Sequence, residues 1–228
     1  MTIDLASGTA THTGTIAAIE NLVTGAGDDT LDYGADSAGV TIDLASGTAT
    51  HTGTIAAIEN LVTGAGADTI VGALAAVILN TGSGTDTLDF AAVSSDLNVT
   101  VHADGTLSVS DGAYTVTGIT GVDNLIGGAG LNTVVFEDGA ALAGSISGTG
   151  ATKLDYSAYT SPVTVDLGTG AATGTAGAAN IIAVTGGAGN DTLIGADADA
   201  NWNITGLNSG TVAGVAFSNI DNLSGGSG

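Results

Sequence analysis

Internal repetition is the feature that most constrains how this chain folds. Residues 2–30 recur at 41–69 with one difference in 29 positions, and weaker copies of parts of this unit follow at 163–174 and 217–228. A chain made by copying one unit folds as a stack of equivalent units rather than as separate globular domains. We therefore expect one repetitive segment over 1–228, an excerpt of a longer repeat protein.

A finer period lies inside this unit, because a glycine turn recurs about every 20 residues. Runs of alternating β-branched and polar residues separate the turns, as in 40–44 and 163–167, and such alternation is typical of half-buried strands. No segment shows a convincing helical period. The pattern predicts an all-β fold, a parallel β-solenoid of about twelve rungs of about 20 residues each. The two near-identical copies should then lie two rungs apart in the stack.

Aliphatic residues recur at two fixed positions beside these turns. Their columns are Leu22, Leu61, Leu79, Leu125, Val184 and Leu223 before the turn, and Leu31, Ile70, Leu88, Val134, Leu154 and Leu193 after it. We expect both columns to form the core, because each rung of a solenoid buries its apolar face against its neighbours. A third column consists of Asn21, Asn60, Asn124 and Asn222. These amides should satisfy backbone groups of the turns inside the stack.

The charge balance limits the partners of the chain. There are 23 acidic residues against one basic residue, Lys153, and the net charge is −22. Nucleic acids and anionic membrane surfaces attract cationic side chains, so both are excluded as partners. Hydrophobic residues still make up 43% of the chain, which argues against disorder, and the longest apolar run, 73–79, is too short to cross a bilayer. Cations are the partners that this balance favours.

Gly-rich turns that end in Asp carry the most specific signal. Residues 186–194 match the nonapeptide G-G-x-G-x-D-x-U-x, and looser copies begin at Gly25, Gly64 and Gly82. Glycines let the backbone turn tightly and aim carbonyl oxygens inward, the Asp adds a charged oxygen, and Ca²⁺ accepts about six to eight such ligands. The predicted calcium ligands are Gly25, Gly27, Asp29, Gly64, Gly66, Asp68, Gly82, Gly84, Asp86, Gly187, Gly189 and Asp191.

One turn supplies too few ligands, so a calcium site should need two turns stacked on the same edge. The separation of Asp68 from Asp86 equals two nonapeptides, and this spacing makes them the best candidate pair on adjacent rungs. Elsewhere the motif is weaker, since Asn132 replaces the Asp in one turn and Thr152 replaces it in the next. The alternative interpretation is that each Asp only caps its turn as an Asx-turn.

Several segments together carry a family resemblance. They are GGAGNDTLIG (186–195), TLDY (30–33), KLDYSAY (153–159), PVTVDLGTGAATGT (162–175), NWNITG (201–206) and VAFSNIDNLSGGSG (215–228). In these the chain resembles the repeat regions of very large secreted bacterial proteins of the RTX-like, hemolysin-type calcium-binding class, which includes giant adhesins and exoproteins. The resemblance implies export without a cleaved N-terminal signal, folding in extracellular calcium, and a role at the cell surface or in a matrix.

Catalytic groups are hard to assign from the sequence. His12, His51 and His102 are best interpreted as exposed strand residues, and no Ser–His–Asp set can be singled out. An acidic residue precedes an aromatic residue at Asp32, Asp89 and Asp155, where we expect a ladder of edge-facing carboxylates rather than an active site. The chain is therefore predicted not to be an enzyme.

Three functional hypotheses remain. The first is a non-catalytic structural or adhesive segment of an extracellular or cell-surface protein, stabilised by Ca²⁺, that self-associates into fibres or contacts matrix polysaccharide. The second is ice binding through the alternating threonines of 9–15 and 48–54. The third is a lyase for acidic polysaccharide, although one Lys and no Arg leave little to neutralise a uronate.

Overall fold

The computed structural model describes residues 2–4, 9–10, 14–15, 19–72, 77–196 and 200–226, and every regular element within them is a β-strand. The strands are β1 Thr2–Asp4, β2 Thr9–Ala10, β3 Gly14–Thr15, β4 Ile19–Val23, β5 Thr30–Asp32, β6 Thr41–Asp43, β7 Thr48–Ala49, β8 Thr52–Ala56, β9 Asn60–Val62, β10 Thr69–Val71, β11 Ile78–Asn80, β12 Asp86–Asp89, β13 Leu97–Val101, β14 Leu107–Ser110, β15 Thr115–Ile119, β16 Val122–Gly127, β17 Asn132–Phe136, β18 Ser145–Gly148, β19 Thr152–Asp155, β20 Thr164–Asp166, β21 Gly177–Ala178, β22 Ile181–Thr185, β23 Thr192–Ile194, β24 Trp202–Gly206, β25 Ser209–Val212, β26 Val215–Ser218 and β27 Asn222–Ser224.

The chain passes back and forth between two sides. Sheet A has the order β11-β9-β5-β1-β2-β3, sheet B β21-β18-β16-β12-β10-β6-β7-β8-β4, sheet C β15-β14-β13-β17-β19-β22-β26-β25-β24, and sheet D β20-β23-β27. A parallel bridge from Asn80 to Thr120 joins sheet A to sheet C, and antiparallel bridges of Ala172 to Val165 and to Thr175 join sheet D to sheet B. We call these the A/C side and the B/D side. Successive core strands alternate between them.

Antiparallel meanders interrupt the parallel pairing on each side. Ile70 pairs with Leu88 in the next coil, whereas Leu88 pairs with the more distant Leu125, because β13–β15 intervene. Five meanders occur among the described strands, at β1–β3, β6–β8, β13–β15, β20 to β21 and β24–β26. The all-β prediction is confirmed. The prediction of one parallel solenoid with even rungs is corrected, because the sheets are mixed and polar–apolar alternation suits parallel and antiparallel strands equally.

The two near-identical copies lie on opposite sides of the structure. Strand β5 belongs to sheet A, while its counterpart in the second copy, β10, belongs to sheet B. The chain crosses between the sides after β5, after β8 and after β9, which is an odd number of crossings. The expectation that the copies stack two rungs apart is therefore wrong.

The predicted aliphatic columns form the core. Leu31, Ile70 and Leu193 have no exposed surface, and the other members are also buried except Leu223, which is 39% exposed. Adjacent members pair directly across the ladders, as Leu31 does with Leu61 and Leu88 with Leu125. Strands of the two sides thus bury one shared apolar cluster, and burial of this kind is the main stabilising contribution.

Aromatic side chains tie the meanders to this core. The buried hydroxyl of Tyr33 donates to the carbonyl of Thr50 at 2.5 Å, and that of Tyr156 donates to the equivalent carbonyl of Thr173 at 2.7 Å. Burial raises the pKa of both phenols, so they remain neutral donors. Asp32 and Asp155, which precede these tyrosines, and Asp89, which precedes Phe90, each accept the backbone N–H of the residue two positions further on.

Consecutive glycine turns on one edge lie in direct backbone contact. A Cβ atom on Gly66 would collide with the backbone of Ala38 and Gly39, and one on Gly84 with the carbonyl of Gly66. The backbone N–H of Ala65 donates to Asp36 and that of Ser83 donates to Gly64, both at 2.9 Å. Glycine is required here because the turns stack without room for side chains.

Candidate metal centre

Two nonapeptide turns meet where the chain passes from the A/C side to the B/D side. Turn 63–68 connects β9 to β10, and turn 81–85 connects β11 to β12, one coil later. Because both cross in the same direction, the structure brings Gly64, Gly66 and Asp68 beside Gly82, Gly84 and Asp86. This edge holds the geometry in which two turns could share a cation.

The aspartates at this edge form a hydrogen-bonded ladder. The carboxylate of Asp68 accepts the N–H of Val40 at 2.8 Å, and that of Asp86 accepts the N–H of Asp68 at 2.9 Å. In turn, the N–H of Asp86 donates to the carboxylate of Asp123 at 2.8 Å. Each rung is therefore linked to the next through one charge-assisted hydrogen bond.

The sequence reasoning missed the partner acids of these turns. In three turns the Asp N–H donates to an acidic side chain one coil later: Asp29 to Glu59 at 3.0 Å, Asp86 to Asp123 at 2.8 Å and Asp191 to Asp221 at 2.9 Å. Each partner acid directly precedes a member of the Asn column. The recurring E-N-L and D-N-L triplets were the signal that could have identified them.

The turn aspartates are buried with spare oxygen atoms. Asp68 is 1% exposed, and Asp86 and Asp191 are fully buried. In each of these three residues the Oδ2 atom has no hydrogen-bond partner. Desolvation raises the pKa of Asp86, the N–H of Asp68 and the hydroxyl of Thr81 oppose this rise, and the charges of Asp68 and Asp123 add to it. An unpaired buried carboxylate oxygen is costly, so these positions suit a cation.

The other predicted ligands occupy different surroundings. The turn with Gly25, Gly27 and Asp29 crosses from sheet B to sheet A, so it lies on the opposite edge from Asp68. The turn with Gly187, Gly189 and Asp191 stacks against residues 159–162, which do not form a nonapeptide. Only the turns of Asp68 and Asp86 are thus a stacked nonapeptide pair among the predicted ligands.

The donor set fits a hard cation. Within the described part of the chain, no three acidic or histidine side chains converge on one point. A metal here must therefore take turn carbonyls together with one or two carboxylates. Such all-oxygen surroundings suit Ca²⁺ far better than softer metals.

The Asn column meets its predicted role in part. The amides of Asn60 and Asn222 donate to the carbonyls of Asp29 and Asp191 at 3.4 Å. Asn124 instead accepts the N–H of Ser145 at 3.0 Å. The column therefore satisfies backbone groups, as expected, but through different atoms of the amide.

A second polar constellation lies on the outer surface of sheet C. The imidazole of His102 is 2.9 Å from Glu137 through Nδ1 and 2.7 Å from the hydroxyl of Ser108 through Nε2. The other oxygen of Glu137 accepts the N–H of Ala103 at 3.0 Å. The structure thus brings together a Ser–His–Glu set that the sequence could not single out, because β14 folds back on β13. These hydrogen bonds hold the β13–β14 hairpin of the β13–β15 meander against the end of β17.

The remaining histidines and the threonine arrays give weaker indications of a functional site. His51 is exposed, as predicted, but it lies in the turn of a hairpin rather than on a strand, 3.2 Å from Asp36. His12, Thr11 and Thr13 lie outside the described residues. In the second array, the hydroxyl of Thr50 accepts from the backbone of Thr41, and that of Thr54 donates to Asn21. Some hydroxyl groups of the second threonine array therefore form hydrogen bonds within the protein.

Glycine turns in direct backbone contact, with buried aspartates at Asp68, Asp86 and Asp191, are consistent with a β-roll type of repeat. A family model for the RTX calcium-binding nonapeptide repeat matches four copies, over residues 19–37, 59–92 and 184–199. The chain thus contains an RTX-like repeat region, and all twelve predicted ligands fall inside the matched segments. RTX repeats are calcium-binding structural elements typical of secreted proteins. A comparison with curated proteins finds no match. No helix capable of spanning a membrane occurs among the described residues.

Proposed function

We propose that this chain is a calcium-stabilised structural segment of an extracellular protein. The observation that carries the proposal is the set of three buried aspartates, Asp68, Asp86 and Asp191, each with an unpartnered Oδ2 atom. With one Lys in the whole chain, the counterion has to come from solvent. Extracellular fluid is the compartment in which Ca²⁺ is abundant enough to fill weak sites.

The ions would act on the stacked turns. Asp68 and Asp86, with carbonyls of the turns that carry them, would hold Ca²⁺ between adjacent coils. The bound ion supplies positive charge that offsets the repulsion between neighbouring carboxylates and links successive rungs. The residues of this chain perform no chemistry in such a role. They fix the spacing of the turns and present oxygen atoms.

The direct test is thermal unfolding of the whole chain, followed by far-UV circular dichroism, in excess calcium and in excess chelator. A ligand that binds only the folded state at a hundred times its Kd adds about 2.7 kcal/mol. For a chain of this size that is a rise in Tm of about 5–10 °C per site. Magnesium serves as the control cation, since it demands smaller and stricter coordination. Identical melting curves in calcium and chelator would refute the proposal.

An adhesive or fibre-forming role is a further part of the proposal. The exposed apolar side chains of Ile78 and Leu207 support contact with another surface, including a second copy of the chain. Electron microscopy and sedimentation of purified protein, with and without calcium, test this part separately. Dispersed monomers under both conditions would contradict it.

A further inference from the structure

In one turn of the structure, a side-chain amide rather than a cation satisfies the buried carbonyl oxygens. Asn132, which takes the place of the nonapeptide Asp, is 2% exposed. Its Nδ2 donates to the carbonyls of Gly128 at 3.1 Å, Gly130 at 3.2 Å and Ala151 at 3.3 Å. Its Oδ1 accepts the N–H of Gly128 at 2.9 Å. Every polar atom of this amide is therefore used.

The three carbonyls converge on one point between two stacked turns. A Cβ atom on Gly150 would meet the carbonyl oxygens of Gly130 and Gly128, and would lie 2.8 Å from the Nδ2 of Asn132. Converging carbonyl oxygens are what a calcium ion requires, and here an amide nitrogen lies among them. A carboxylate in the same position has no hydrogen to donate.

The turn of Asp191 differs in the side chain at the nonapeptide Asp position, although the amide of Asn219 donates to two of its glycine carbonyls. A Cβ atom on Gly186 would lie 2.5 Å from the Oδ2 of Asp191, and one on Gly127 would lie 2.6 Å from the Oδ1 and 2.9 Å from the Nδ2 of Asn132, so both side chains lie beside the first glycine of their turn. The Oδ2 of Asp191 has no partner, whereas Asn132 has no orphaned atom among the buried polar groups described. The amide carries two hydrogens that it donates to carbonyl oxygens, and a carboxylate has none to donate.

Other asparagines extend the pattern. Asn180 donates to the carbonyl of Gly148 at 2.8 Å, from the neighbouring coil. Asn219 donates to Gly186 at 3.1 Å and to Gly187. Both asparagines have a left-handed backbone, with φ of 55°, which asparagine tolerates better than most residues. Amide donors thus reach glycine-turn carbonyls at three places in the stack.

We propose that Asn132 takes the place of a bound cation, so that its turn is held without calcium. The structure then contains two kinds of turn: those closed by a side-chain amide, and those with Asp68 and Asp86 that depend on an ion. The calcium half of this inference rests on the proposed function. The amide half does not, because it concerns hydrogen bonds that exist without any metal.

The test compares Asn132→Asp with Asn98→Asp. Asn98 is exposed on β13, directly beside Thr133, so this control adds the same charge nearby without touching the carbonyls. In chelator we expect N132D to melt about 5–10 °C below N98D, because the two N–H groups that contact three carbonyl oxygens are lost and a charge is buried. In calcium we expect isothermal titration to count one more ion for N132D than for the wild type, and the gap in Tm to narrow.

The outcomes separate the two claims. Equal melting of N132D and N98D in chelator would overturn the inference, even where the wild type binds calcium normally. A wild type that binds no calcium, with N132D still melting below N98D, would sink the proposed function but support the amide-held turn. Should N132D fail to fold in chelator, recovery of its β signal on adding calcium supports the inference. A variant that stays unfolded in calcium overturns it.

Discussion

Replacing Asp86 by Asn should stabilise the protein in chelator, and calcium should cancel or reverse that gain in stability. Asp86 is fully buried, and its Oδ1 accepts the N–H of Asp68. An asparagine keeps that acceptor and exchanges the orphaned Oδ2 for an NH₂ group. In chelator the substitution removes a buried charge, whereas in calcium it removes a ligand.

The magnitudes follow from the surroundings of Asp86. Burial raises the pKa of Asp86, and its charged neighbours Asp68 and Asp123 add to the effect. A raised folded-state pKa means that the stability of the protein falls as pH rises from the ordinary pKa of the carboxyl through its folded-state pKa. Relief of an unsatisfied buried group amounts to about 1–3 kcal/mol, a rise in Tm of about 2–12 °C for D86N in chelator. In calcium at a hundred times Kd, the wild type gains ~2.7 kcal/mol that D86N lacks, so the advantage of D86N in chelator is cancelled or reversed.

The assay is thermal unfolding of wild type and D86N in both buffers, with Asp104→Asn as the matched control. Asp104 is exposed at a hairpin tip, where its carboxylate accepts the N–H of Thr106 at 3.0 Å. D104N should change Tm by the same amount with and without calcium. If D86N also shifted equally in both buffers, Asp86 would be only a turn cap, and the reasoning from its orphaned oxygen would be wrong.

Two further predictions concern the β13–β15 meander. Backbone donors at Tyr114 and Ala113 hold the pKa of Asp111 below its ordinary value of 3.8, which adds stability that is lost as pH falls through the folded-state pKa. Denaturation across pH should therefore find Asp111→Asn less stable than wild type at neutral pH, with the gap closing below about pH 4. Ser108 should not react with a fluorophosphonate probe, since we interpret its bond to His102 as a structural clamp. Labelling of wild type that Ser108→Ala abolishes would show instead that Ser108 is a nucleophile.

Local signals in the sequence were sufficient to predict which residues form the core and where the glycine turns lie. The aliphatic columns predicted the buried residues because every rung repeats the same inward position, and only Leu223, on an edge strand, is left partly exposed. The spacing of Asp68 and Asp86 predicted their adjacency, since two nonapeptides without an intervening meander make one coil. These inferences needed no knowledge of distant contacts.

Long-range pairing could not be predicted in this way. The segment Thr41–Ala56 alternates like any strand, and nothing local indicates that β7 and β8 turn back antiparallel beside β6. The partner acids Asp123 and Asp221 were visible as triplets, but their role depends on which coil lies above them. The clamp of Ser108 depends on a hairpin that brings residue 108 back beside residue 102.

The placement of the five meanders bears on how such a chain can lengthen. Each meander adds strands to one side only, and successive meanders alternate between the A/C side and the B/D side. Because one copy of the repeat contains an odd number of crossings, duplication places the copied meander on the opposite side from its parent. Duplication therefore distributes the added strands over both sides instead of accumulating them on one.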